Sequence, residues 1–256
     1  MKKSIKYFLL ILVILGSLFF LFGPEVFPEP PTNVLVGDQE LLNSAAQNDV
    51  IIIFNSGGWG NTPLEEAEDF APIIEKITET LNEWGYNSLV IPYTRTKDDL
   101  SGKITGTRDF LNSFQTSSEI LAEKVNFLTE NLPDKKIIMA GLSAGGALVD
   151  ETMERISGGT RNSVYAITAG IPFWEETLNS ENILQLNNNG RDSLAAGDIK
   201  SLIFSLIKAP FKWISSKING QNLPFSQALQ APGHDYLWSS PEVGPQIVSF
   251  LENKIR

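Results

Sequence analysis

Lys135-Lys136-Ile137-Ile138-Met139-Ala140-Gly141-Leu142-Ser143-Ala144-Gly145-Gly146-Ala147 carries the pattern on which the fold turns: an apolar, β-branched run, a cluster of small residues, and a stretch of helical composition. The run from Lys135 to Ala140 has the length and composition of a strand, and Gly145 to Ile156 reads as a helix. Between the two the chain must reverse within a few residues. Gly141, Gly145 and Gly146 remove the bulk that would obstruct so tight a turn, which lifts the Ser143 side chain above the end of the strand. The backbone N–H of Ala144 then falls at a helix N-terminus, where donors lack intrahelical partners and negative charge is favoured.

The same alternation extends in both directions. Val50 to Phe54 is a continuous apolar run, as expected of a strand buried on both faces of a parallel sheet. Asn55-Ser56-Gly57-Gly58-Trp59-Gly60 follows as a loop, and Thr62-Pro63-Leu64-Glu65 reads as a capping box opening a helix that Gly85 ends. Ser88 to Pro92 is a second strand, and Thr116 with Glu119 caps a helix to about Asn131. Strands are expected at Val164 to Gly170 and Ile183 to Asn187, a weaker one around Phe225 to Ala231, and a last helix at Glu242 to Lys254. No repeat of 20 to 50 residues interrupts this order. The expected fold is α/β, a mostly parallel sheet of about six or more strands covered by helices on both faces, with ligands at the carboxyl ends of the strands.

Composition narrows the chemistry. The 256 residues are 42% hydrophobic, enough for a sizeable core, and the formal net charge of −10 disfavours a nucleic-acid partner. The absence of cysteine excludes disulfides, thiol catalysis and Cys-based zinc sites, and a single histidine, His234, removes most multi-histidine metal sites. A dinucleotide-binding reading of Gly58-Trp59-Gly60 fails because Pro63 stands at the third glycine position and Pro92-Tyr93 replaces the ribose-binding acid.

Gly141-Leu142-Ser143-Ala144-Gly145, placed between a strand and a helix, is a nucleophile-elbow pattern, and in this the sequence resembles the α/β-hydrolase superfamily of serine esterase or lipase type, from about Val50 to the C-terminus. The resemblance implies Ser143 as nucleophile and the Ala144 N–H as one oxyanion donor. Residues 55–59 are similar to the family's H-G-G-G-W loop, with Asn55 for the histidine and Ser56 for the first glycine. That makes Gly57 the implied second donor, with Gly58 next. His234, in Pro232-Gly233-His234-Asp235-Tyr236, occupies the family's place for the catalytic base, and Asp192 resembles the family acid in its G-x-D setting. Asp198 is the main rival acid. Glu175 and Glu176 would suit families that place the acid one strand earlier, and Asp235 is badly placed beside the histidine. No metal or organic cofactor is implied.

At the other end of the chain, Lys2, Lys3 and Lys6 precede an apolar stretch from Tyr7 to Phe22. At about 1.5 Å per residue it spans roughly 24 Å against a hydrocarbon core of about 30 Å, so a signal anchor or a signal peptide fits, and Phe22-Gly23-Pro24 is a poor cleavage site. The expected organisation is an anchor at 1–23, a proline-rich linker at 24–32 and a hydrolase domain at 33–256, held on the extracytoplasmic side or secreted if the segment is cleaved. Ile199 to Gly233 contains four lysines and no acid among many apolar residues, with Pro210 expected to break it in two. The plain reading is the usual helix between the last two strands, apolar inward and lysine outward; the other is a lid or lipid-facing surface. Arg95, just after the second strand, could bind an anionic substrate group or pair with an acid on the surface. The function expected is a membrane-anchored serine hydrolase acting on an ester-type acyl bond, with a tilt toward lipid-like groups; the alternative is a non-catalytic binding protein of the same fold.

Overall fold

The computed structural model describes residues 38–156, 158, 161–221 and 231–256, and Asn33–Arg256 form one compact unit. The expected anchor and linker lie outside the described residues, as does nearly all of the strand expected from Phe225. Five strands are described, β1 (Val50–Asn55), β2 (Ser88–Tyr93), β3 (Lys136–Leu142), β4 (Val164–Ala169) and β5 (Ile183–Leu186), one fewer than the six or more expected. All neighbours pair in parallel, in the order β2-β1-β3-β4-β5.

Every residue of β1 and β4 is buried. Alternation assigns their side chains to two cores, as the period of two requires. Ile51 and Ile53 join Leu121, Val125 and Leu148 on one side of the sheet. Val50, Ile52 and Phe54 join Ile74, Ile77 and Ile247 on the other. The first layer is built from α1 (Asp38–Ala46), α3 (Leu100–Leu111), α4 (Gln115–Asn131) and α5 (Ala144–Arg155), and the second from α2 (Ala71–Glu83) and α7 (Gly244–Lys254). From β1 the chain steps to β2 on one side and later to β3 on the other. The carboxyl ends of β1 and β3 therefore flank a topological switch point, the position at which open α/β sheets bind ligands.

Several boundaries differ from the sequence expectation for reasons of packing. The Thr62 capping box does not form; Leu64–Glu66 is a 3-10 turn and α2 begins only at Ala71, with Pro72 in its first turn. Ala67 and Phe70 turn inward here, Phe70 stacking on Phe54 at 6.4 Å between ring centroids. Burying a phenylalanine contributes about 1.5–3 kcal/mol, more than the roughly 1 kcal/mol of a cap. Likewise α4 starts at Gln115 behind a fully buried Phe114 at φ 57°, not at Thr116. Helix α3 escaped the sequence reading because Gly102 and Gly106 dilute its helical signal.

Residues Ile199–Ile218 form a single helix, α6, with Pro210 inside it. The carbonyl that Pro210 leaves without a donor belongs to Leu206, on an exposed part of the helix where water can serve. The expectation of apolar side chains turned inward is overturned: only Ala209 and Ser216 of α6 are buried, and Phe204, Ile207, Phe211 and Ile218 are exposed.

Candidate active site

Ser143 sits where β3 ends and α5 begins, at φ 54° and ψ −119°. This is left-handed territory for a non-glycine residue and costs about 1–3 kcal/mol. The glycines around it are demanded by close approach. A Cβ on Gly145 would lie 2.2 Å from the Asn55 carbonyl oxygen, and one on Gly141 would lie 2.4 Å from that of Gly145. The first turn of α5 is thus pressed onto the ends of β1 and β3, and Ser143 is left half-buried there. Its N–H donates to Ala169 O at 2.7 Å. Ala144 N–H heads the helix, where it has no intrahelical acceptor.

The loop after β1 comes to the same place. A Cβ on Gly57 would stand 3.1 Å from Leu142 O and 3.7 Å from Ser143 Cβ, so Gly57 abuts the serine, whereas Gly58, at φ 56°, has open space around it. Arg95 holds this loop from beneath. The residue is 4% exposed, and Nη2 donates to Gly58 O at 2.9 Å and to Ser56 O at 3.5 Å, while the backbone N–H donates to Gly60 O at 2.8 Å. It lies 4.8 Å from the Phe114 ring centroid and 3.8 Å from Asp109 Oδ2. Burial pushes its pKa down to about 10 against the support of Asp109. Of the two roles left open by the sequence, Arg95 takes the pairing one, but inside the molecule with half-buried Asp109 and not on the surface.

On the far side of the serine stand the acid and the base. His234 Nδ1 is 2.8 Å from Asp192 Oδ2, with Asp192 fully buried. Four hydrogen bonds converge on this carboxylate. Oδ2 meets His234 and the Tyr236 hydroxyl, which donates at 2.6 Å, and Oδ1 accepts from Leu194 N–H at 2.8 Å and Ala195 N–H at 3.2 Å. Burial raises its pKa, but the bonds from His234, Tyr236 and the backbone outweigh it and hold the carboxyl below its usual range. The Tyr236 phenol is pushed far up by burial and by the same carboxylate.

The acid and base loops are laced together. Asn188 Nδ2 donates to Gly233 O at 2.7 Å and Asp235 O at 2.9 Å, and Ser193 donates to Pro232 O from both its N–H and its hydroxyl at 2.9 Å. Gly170 closes the gap to the serine: a Cβ there would lie 2.4 Å from His234 Cε1. The Ala169–Gly170 peptide therefore contacts Ser143 through one residue and the imidazole through the next.

Of the other acids weighed, Asp198 caps α6, accepting from Ser201 N–H and hydroxyl, and Glu175 interacts with Ser113 and Trp174. The sequence reading gave no role to Tyr236, Asn188 or Asp69. Asp69, in the turn before α2, is raised by desolvation and lowered in part by the charge of His234. A tyrosine two residues after the lone histidine was the one available signal. Among the described residues no group of three His, Asp or Glu side chains could hold a metal ion.

No protein-family model matches the chain, and no curated protein does. Among solved structures it is similar to a Trichoderma reesei cutinase in complex with a C11Y4 phosphonate inhibitor, at a TM-score of 0.42 and 15% identity over 62% of this chain and 75% of that one. It is also similar to a cutinase-like protein from Cryptococcus sp., at 0.35 and 19% over 48% of this chain and 54% of that one. The catalytic core domain of an acetyl xylan esterase from Trichoderma reesei matches at 0.33 and 18% over 48% and 63%. Likenesses of this size assign neither an activity nor a residue.

Proposed function

We propose that the chain is a serine hydrolase that cleaves carboxylic ester bonds through an acyl-enzyme. Strand order alone does not support this, since unrelated proteins share such sheets. The reading is supported by one arrangement: the Ala169–Gly170 peptide touches both Ser143, strained at a helix N-terminus, and the imidazole of the Asp192–His234 pair. In this reading Ser143 Oγ attacks the acyl carbonyl while His234 Nε2 takes its proton. Asp192 accepts the Nδ1–H and stabilises the imidazolium that forms. The N–H groups of Ala144 and Gly57, with Gly58 as the other candidate, receive the oxyanion; such a donor contributes about 10²- to 10³-fold in rate. His234 then protonates the leaving alcohol, and water attacks the acyl-enzyme by the same route. The substrate is an ester of a small molecule, with an apolar acyl group favoured, and residues 1–23 would hold the enzyme at a membrane.

Fluorophosphonate labelling tests it. Full-length chain in mild detergent is expected to gain one adduct by intact mass, lost in Ser143→Ala and in His234→Ala. A folded parent that takes no adduct would overturn the reading in favour of a non-catalytic binding protein.

A further inference from the structure

Helix α6 is packed inside out. On a helical wheel of about 100° per residue, Ser201, Ser205, Lys208, Lys212, Ser215 and Ser216 occupy one narrow arc, and nearly all the large apolar residues fill the wide remainder. An ordinary surface helix turns its wide apolar arc to the core. Here the buried positions are Ala209 and Ser216, with Ser201, Leu202, Ile203 and Ser205 half-buried, so the side turned to the body is made mostly of small residues. The wide arc faces away: Phe204 is 58% exposed, Ile207 59%, Phe211 71% and Ile218 79%. Eight large apolar side chains of this helix are exposed, five of them on one face, whereas monomers rarely present large contiguous apolar patches.

We propose that α6 is an interfacial helix that lays its Phe204, Ile207, Phe211, Ile214 and Ile218 arc into the headgroup–acyl boundary of an anionic bilayer. Charge selects that occupant. Lys200, Lys208, Lys212 and Lys217 are the ionisable residues of the helix and no acid accompanies them, on a chain of net charge −10. A basic helix on an acidic body is matched to a negative surface. A second copy would set lysine against lysine. Lys208 has the required posture, its Nζ 4.2 Å from the Phe204 ring centroid, so that its stem lies on the apolar arc while the ammonium can reach headgroups. The same lysines prevent spanning: among the described residues no helix is long and apolar enough to cross a membrane. The patch continues at the N-terminus of the helix, where Gly197 packs on the ring of Phe173, which with Trp174 is also exposed.

The chain has no cysteine, so one introduced thiol reports one site. Full-length Phe211→Cys, Ile207→Cys and, as a control at an exposed position of α4, Glu123→Cys are labelled with nitrobenzoxadiazole in a Ser143→Ala background. That background makes the outcome independent of any hydrolase activity. Each is reconstituted into phosphatidylcholine vesicles with and without phosphatidylglycerol. With the anionic lipid, the probes at 207 and 211 are expected to shift to the blue and to be quenched several-fold more by doxyl-labelled lipid than by iodide, with the reverse at 123. Combining Lys208→Gln with Lys212→Gln is expected to reduce the lipid-quenched fraction. Iodide quenching at 207 and 211 equal to that at 123 would overturn the proposal. Shielding from iodide without doxyl quenching would overturn it too, since the helix would then be covered by protein.

Discussion

Gly170→Ala puts the proposed mechanism at risk with a single methyl group. The new Cβ would stand 2.4 Å from His234 Cε1 and 2.8 Å from both His234 Nδ1 and Asp192 Oδ2. Ordinary contact for such an atom begins near 3.4 Å. The imidazole must therefore retreat by about 1 Å, a displacement that for a catalytic group costs on the order of 100-fold in rate. Gly170 also sits at φ 61°, so the substitution adds about 1–2 kcal/mol of backbone strain that has nothing to do with the site. Gly85→Ala isolates that second cost, because Gly85 has φ 88° and no neighbour within 4 Å of the added Cβ. Both variants are expected to lose a few degrees of melting temperature. Only Gly170→Ala is expected to lose about 100-fold in kcat/KM on p-nitrophenyl esters and in the rate of fluorophosphonate inactivation. Parental inactivation kinetics in folded Gly170→Ala would refute the placement of His234 as the base acting on Ser143.

Three further outcomes follow from the same geometry. Tyr236→Phe removes the donor 2.6 Å from Asp192, one of the bonds that hold its pKa down, and kcat/KM on p-nitrophenyl esters is expected to fall about ten-fold with the fold intact. Arg95→Met releases the Gly58 carbonyl and strips Asp109 of its buried cation, with an expected loss of about 3 kcal/mol in urea unfolding together with slower labelling of Ser143. Asp150, buried on α5 and accepting from Leu178 N–H and Gln185 Nε2, has its pKa pushed up to about 6 by desolvation. Because its folded value lies above its unfolded 3.8, the folded state binds the extra proton, and stability is expected to fall by roughly 3 kcal/mol as pH rises from about 4 to about 6. Asp150→Asn is expected to flatten that decline, measured by denaturant unfolding across the interval.

Much of the sheet was legible because β1, β3 and β4 are buried on both faces and must read as unbroken apolar runs. The elbow was legible for a related reason: Gly141 and Gly145 admit no side chain where backbone crosses backbone, so the chemistry of the turn is written in single residues. What failed were helix starts. Thr62 and Thr116 carry local capping signals, but Phe70 and Phe114 are each drawn into the core a few residues away, and long-range packing decides the boundary. The orientation of α6 was illegible for a deeper reason. Periodicity identifies the apolar arc of a helix but not what it faces, and the rule that it faces the core is only a habit of soluble chains. Arg95 remained ambiguous because its partner, Asp109, lies on α3, a helix the sequence conceals. Tyr236 went unread because no local pattern distinguishes a phenol aimed at a carboxylate from one filling a gap.

The contact of Ser143 N–H with Ala169 O, and of Gly170 with the His234 ring, ties both side chains to the end of β4. Strand register changes only in whole residues, and a one-residue slip of β4 would turn its buried face to the wrong core. On the proposed reading, the strand end that the serine and the imidazole share can therefore shift only in whole-residue steps. On the same reading, the exposed face of α6 can change between related chains while the end of β4 that touches both Ser143 and His234 does not.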